Sequence, residues 1–263
     1  STPTAGVTIY CTTNGTVPSP TNGYSYTGQL VFSNTTVLRA VGYRPGYAPT
    51  VSDGHTYIFP ELVANQNGAG FPTNWGFMTN GLNQLVPVPT VYAMSSNILH
   101  DSQSSNLFHV GLLSLPTLSV VLHPDDMFGT NGIYSNTLQE GADWERPCSV
   151  EYFRPDAIPG FQINGGVQIQ GDVSRDPAEM SKHKLRLVFK QSYGAAFLVY
   201  NLFPDSPVNE FSTLSLNACY QDHWRYAGAA ATMQRDQWCA DTQGEMGEHG
   251  KHGTYVHLYI NGL

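Results

Sequence analysis

Charge is what this chain has least of: only 12% of its residues are Asp, Glu, Lys or Arg, about half the usual share. Twelve Lys and Arg stand against twenty Asp and Glu, a formal net charge of −8. That balance argues against nucleic acid as a general partner, because neutralising a phosphate backbone takes clustered cations. Long apolar runs are also missing, and none approaches the ~20 residues of a membrane span. At the N-terminus no charged segment precedes an apolar core, so there is no signal peptide, and the chain reads as beginning inside a longer protein. The four cysteines, Cys11, Cys148, Cys219 and Cys239, have no C-x-x-C spacing, which argues against zinc or thioredoxin-type chemistry. Two readings of them stay open, a Cys219–Cys239 disulfide or scattered buried thiols. The phosphate loop Gly-x-x-x-x-Gly-Lys-Ser/Thr and the hydrolase elbow Gly-x-Ser-x-Gly are absent too.

Glycine (26) and tyrosine (15) are abundant instead, with much Asn, Thr and Ser, and 41% of residues are hydrophobic. Such a composition suits a β-rich, loop-rich, exported protein with packed cores. Residues 6–59 read as short strands: Gly6 to Thr12, Gln29 to Phe32, Val37 to Tyr43 and His55 to Phe59, with Asn14-Gly15 a hairpin signal and Arg44-Pro45-Gly46 a turn. Residues 60–115 read as an ordered connector with breakers at residues 65–72 and Asn80-Gly81, extension at Pro87-Val88-Pro89, and a short helix from Ser104 to Leu113. Strands are expected at Leu118 to Leu122, Cys148 to Phe153, Gly165 to Gly171 paired with Leu185 to Lys190, Leu198 to Phe203 and Thr213 to Leu216. Ala227, Ala230, Ala231, Gln234 and Trp238 recur at helical spacing, which predicts a helix over Tyr226 to Met246. Apolar residues on both faces of Thr254 to Ile260 predict a central strand.

Within residues 182–190, Leu185, Leu187 and Phe189 alternate with Lys182, Lys184 and Arg186, provided the extended conformation begins at Lys182. The cations are then about 7 Å apart on one face, beside a loop bearing Ser174 and Arg175. Such a row suits a phosphate-like ligand; it equally suits the solvated face of an antiparallel strand. His249, His252 and His257 are separated by Gly250 and Gly253, which prevents one helix face from presenting them to a metal. Asp125, Asp126 and Glu140 read as ordinary loop acids.

The run Gly-Val-Gln-Ile-Gln-Gly-Asp-Val-Ser-Arg, followed by Ser-Lys-His-Lys-Leu-Arg-Leu-Val-Phe-Lys, resembles the signature of the spore coat protein H (CotH) kinase family. Asp222-His223-Trp224, Arg235-Asp236-Gln237-Trp238 and His257-Leu258-Tyr259-Ile260-Asn261-Gly262 continue the likeness, which spans roughly residues 116–263. Val-Thr-Ile-Tyr-Cys-Thr-Thr-Asn-Gly-Thr-Val-Pro, then Tyr26-Thr-Gly and Thr36-Val-Leu-Arg-Ala-Val-Gly-Tyr, resemble the immunoglobulin-like module at the C-terminus of chitobiases and β-hexosaminidases.

These likenesses imply a multidomain chain: an incomplete all-β immunoglobulin-like sandwich (1–59), a connector (60–115), and the truncated N-terminal part of an α+β atypical-kinase-like domain (116–263). A sandwich short of strands would leave a sheet edge unpaired. The kinase resemblance implies ATP and a divalent cation such as Mg²⁺, a Ser or Thr acceptor on a secreted or surface protein, and an extracellular or cell-surface location. It makes Lys182 the expected phosphate contact, with Lys184 next; Arg186, Ser174 and Arg175 complete the pocket, and His183 stands where a second lysine is common. Arg235 either reaches a phosphate or ties its helix to the sheet. The family's catalytic aspartates are expected downstream of Leu263, so this polypeptide alone is expected to lack kinase activity. The alternative is an adhesion or scaffold protein with a degenerate kinase-like domain and carbohydrate contact through the N-terminal module.

Overall fold

The computed structural model describes residues 1–156, 158–223 and 227–263. Trp224 and Tyr226, named above in a motif and as a helix start, lie outside them. The first sheet is antiparallel, ordered β2-β1-β3-β4, from β1 (Thr8–Thr12), β2 (Tyr24–Ser25), β3 (Thr36–Tyr43) and β4 (Asp53–Tyr57). The expected strand at Gln29 to Phe32 does not form. Nor is Asn14-Gly15 a tight hairpin, since Cys11 pairs with Tyr24 across a longer loop. The turn at Arg44-Pro45-Gly46 is present, closed by Tyr47 N donating to the Arg44 carbonyl.

Between the sheets run β5 (Asn74–Thr79) and β6 (Leu85–Pro89), a hairpin turned at the Asn80-Gly81 breaker, then α1 (Ser96–His100) and α2 (Ser102–Ser114). Asp101 caps α2 by accepting from Ser104 N at 2.7 Å, which explains a start two residues before the expected one.

The second sheet holds β7 (Thr117–Leu122), β8 (Arg146–Phe153), β9 (Phe161–Gln170), β10 (Lys184–Val188), β13 (Thr213–Leu216) and β14 (His257–Ile260). It is a curled six-stranded sheet in the order β13-β10-β9-β8-β7-β14. A short α3 (Pro124–Phe128) and the two-residue pair β11 (Leu198–Val199) and β12 (Glu210–Phe211) flank it, and α4 (Arg235–Glu245) precedes β14. Asp125 and Asp126 thus sit in the first turn of α3 rather than in a loop, where negative charge is favoured. Register puts Leu118, Val120, Leu122, Val150, Tyr152, Val167, Ile169, Leu185 and Leu187 on one face, and they form the core. Leu187 is 0% exposed; truncating such a side chain costs about 2–5 kcal/mol.

Two expectations are corrected. Instead of a central strand, β14 is an edge strand, paired in parallel with β7 alone. Apolar residues on both of its sides report that both faces are covered, not both edges: Leu258 packs on the core, while Tyr259 is buried opposite it. Second, the expected helix is not continuous over its described part: Gly228–Ala230 form a short turn of helix and α4 starts only at Arg235. Met233 takes a left-handed φ of 56°, and Asp222 draws the preceding turn aside by accepting from Thr232 N, Thr232 Oγ1 and Arg235 N. Of the two readings left open for the cysteines, free thiols are what the structure holds: Cys11 and Cys148 are buried, whereas Cys239 is exposed.

Among the described residues the first sheet has no second sheet of its own to close against. Its β4 lies on the polar face of β7, β8 and β9. Buried Glu151 of β8 accepts from the Thr56 backbone N–H at 2.5 Å and from His55 Nδ1 at 2.9 Å. Beside it, Thr56 Oγ1 and Ser119 Oγ share a 2.7 Å hydrogen bond, and Asn164 Nδ2 donates to Asp53 at 3.2 Å. One amide of the β4 edge is therefore met by a carboxylate from the neighbouring sheet.

Two outcomes follow. Glu151→Ala strands the Thr56 N–H in a dry interface, which costs about 1–3 kcal/mol and lowers the melting midpoint by several degrees; an unchanged midpoint would show that the edge is not sealed there. His55 has a pKa raised above 6.5, chiefly by its hydrogen bond to Glu151. Its contribution is complete below 6.5 and fades as pH rises through the raised value. Melting midpoints compared at pH 6 and pH 9 should decline in the native chain, and His55→Ala should flatten that decline.

Candidate functional site

The alternation expected of residues 184–188 is present. Leu185 and Leu187 point into the core, leaving Lys184 and Arg186 on the polar face. Lys184 stands opposite Gln170; Arg186 stands between Gln168 on β9 and Ser215 on β13. Ser215 Oγ donates to Gln170 Oε1 at 2.8 Å, tying the neutral side chains together. Half-exposed cations flanked by carboxamides form a surface able to donate several hydrogen bonds to one anion.

Lys182 does not extend this row. The strand starts at Lys184 because His183 is turned inward: its Nδ1 lies 2.9 Å from the Ser174 carbonyl, and its ring meets Tyr134 edge-on with centroids 5.2 Å apart. Burial lowers the His183 pKa, so the imidazole is neutral at pH 7 and Nδ1–H donates to that carbonyl. His183 is a peg, whereas Lys182 is left exposed just before the strand.

Arg175 is buried rather than presented. Its Nε donates to the Gly171 carbonyl at 2.7 Å, and Nη1 donates to the carbonyls of Gln139 at 2.8 Å and Thr137 at 3.3 Å. The guanidinium pins the 137–140 loop to the turn after β9. Gly171 permits that turn: at φ +136° a Cβ would sit 2.2 Å from Ser174 Oγ. Arg235 is likewise engaged, with Nη2 donating to the Ala230 carbonyl at 2.8 Å and Nε 3.4 Å from Asp222. Both partners lie in the turns that precede the helix rather than in the sheet. Asp222 is held down at about 2, first by the Thr232 hydroxyl.

A neighbouring ion pair went unnoticed in the sequence. Lys190 Nζ lies 2.7 Å from Glu145 Oε1, and that carboxylate is nearly buried. It fits only because residue 166 is glycine, where a Cβ would come within 2.6 Å of both Glu145 Oε1 and the Tyr193 ring. Burial and the Glu145 carboxylate together raise the Tyr193 phenol.

Lys184 and Arg186 are therefore the cations that stand on this polar face. Among the described residues no three His, Cys, Asp or Glu gather to hold a metal ion. His257 Nε2–H donates to the Gly111 carbonyl at 2.9 Å, and His252 stacks on Phe203.

A family model described as "Fn3 associated" matches residues 1–57, which agrees with a β module at the N-terminus. No match to the CotH family was found. No curated protein and no solved structure matches the chain significantly. Among the described residues no helix is long and apolar enough to cross a membrane.

Arg175→Lys tests the clamp. Lysine cannot reproduce the planar fork that serves three carbonyls, so the chain should lose about 1–3 kcal/mol in chemical denaturation without any added ligand; full retention of stability would free Arg175 for another task.

Proposed function

We propose that residues 116–263 form the nucleotide-facing part of a CotH-like atypical kinase domain, preceded by a connector (60–115) and a β module (1–59). The parent protein transfers phosphate from ATP to Ser or Thr of a secreted or surface protein. In this reading Lys184 and Arg186 contact the phosphates, and exposed Lys182 approaches from the strand's entrance. The observation that carries it is the placement of Lys184 and Arg186 on one free polar face, framed by Gln168, Gln170 and Ser215, in a chain otherwise poor in cations. Separated motifs in family order support it further. ATP with a divalent cation, when bound, supplies the phosphoryl group; positioning and charge stabilisation are what a protein adds to that chemistry. No residue is assigned here to the metal.

A second reading, an extracellular scaffold with a degenerate kinase-like domain, is favoured by one specific observation: Arg175 and Arg235 both serve backbone carbonyls.

Thermal shift with ATP and Mg²⁺ separates the two. The kinase-like reading expects a rise in melting midpoint that Lys184→Ala/Arg186→Ala abolishes while leaving the ligand-free midpoint within about 1 °C, as surface substitutions do. No rise in the native chain favours the scaffold.

A further inference from the structure

We infer that the open half of the second sheet's polar face recognises a linear triphosphate chain and not the nucleoside attached to it, so that ATP, GTP and inorganic tripolyphosphate are bound alike. The inference rests on the phosphate-contacting role proposed for Lys184 and Arg186, and adds which part of the ligand is read. Register places Gly166, Gln168 and Gln170 of β9, Lys184, Arg186 and Val188 of β10, and Thr213 and Ser215 of β13 side by side on that face. Every polar side chain in this set can donate to an oxygen, as ammonium, guanidinium, carboxamide or hydroxyl. None is aromatic, whereas a base held by stacking needs an aromatic platform. Tyr193, whose ring adjoins the face, is already packed: a Cβ on Gly166 would come within 2.6 Å of the ring, and Lys190 Nζ stands 5.5 Å from its centroid.

Charge along the row favours a chain over a single phosphate. Four of the twelve Lys and Arg fall within residues 182–190. Alternate positions on a strand lie about 7 Å apart, so Lys184 and Arg186 are rooted to address neighbouring groups rather than to centre on one. Gln170 stands opposite Lys184 and Gln168 opposite Arg186, which sets an amide donor beside each cation. Because Ser215 Oγ donates to Gln170 Oε1 at 2.8 Å, the N–H groups are what that carboxamide has left to give. Phe189 N donates to the Ser212 carbonyl at 2.8 Å while its side chain is buried, so the alternation runs one step past β10 and brings Lys190 to the same side. There its ammonium meets Glu145 at 2.7 Å. The carboxylate at this border is thereby offset and does not oppose an anion on the row.

Isothermal titration calorimetry on the whole chain would use ATP, GTP, sodium tripolyphosphate, orthophosphate and adenosine as titrants, with Mg²⁺ present and ionic strength held fixed because salt screens such contacts. ATP, GTP and tripolyphosphate should bind within about threefold of one another. Orthophosphate should bind at least about tenfold more weakly, and adenosine should give no heat of binding. Lys184→Ala/Arg186→Ala should remove the binding of all three polyphosphates. A gap of about tenfold or more among those three, orthophosphate as tight as tripolyphosphate, or binding of adenosine overturns the inference and leaves the nucleotide reading standing. Absence of binding by all three, or binding undiminished in the double variant, overturns the nucleotide reading and this inference with it.

Discussion

The arrangement of this molecule depends on one buried carboxylate. Glu151 sits in the middle of β8 on the polar side of the larger sheet, and its oxygens take the Thr56 amide and the His55 ring of the smaller sheet's last strand. A carboxylate is an uncommon choice for such a place, because removing it from water is costly unless its lone pairs are met. Here an edge amide needs an acceptor and a carboxylate needs donors, so each satisfies the other. Thr56 with Ser119, and Asp53 with Asn164, extend that junction along the same strand.

This junction divides the larger sheet's polar face. Over β7 and β8 it is occupied by β4, with Gly54 close enough to Ser149 that a Cβ would lie 3.0 Å from that side chain. Over β9, β10 and β13 it presents Gln168, Gln170, Lys184, Arg186 and Ser215. The small β module therefore decides how much of that surface is available to anything else. The Lys190–Glu145 pair lies beside the open half, holding one further ammonium group near its border.

Much of the strand pattern was legible because period-two alternation reports burial on one side. Residues 213–216 and 184–188 were readable for that reason, as was the β9–β10 pairing. What escaped were features set by partners distant in sequence. Apolar residues on both sides of residues 257–260 reveal two covered faces but say nothing of how many neighbours the strand has. Helical spacing over residues 227–238 carries no mark of Asp222, whose carboxylate collects the Thr232 and Arg235 amides and delays the helix. The inward turn of His183 was hidden likewise, since its acceptor is the backbone of Ser174 and leaves no trace in side-chain type. Arg175 was visible as a cation next to a glycine-rich strand, but charge alone does not distinguish a ligand contact from a clamp on carbonyls. Glu151 had no signal beyond being an acid in an apolar strand, and that was the one to read.

The parallel pairing of β14 with β7 has a consequence for how the chain reaches this state. Asn261 bonds Leu122 across 139 residues of sequence, and closing so large a loop carries an entropic cost that grows with the logarithm of its length. Contacts of that separation form late, after the local hairpins have organised. Until the last strand arrives, the Thr117–Leu122 segment presents a bare, almost wholly apolar border, so the interval before its arrival is when nascent molecules are most exposed to self-association.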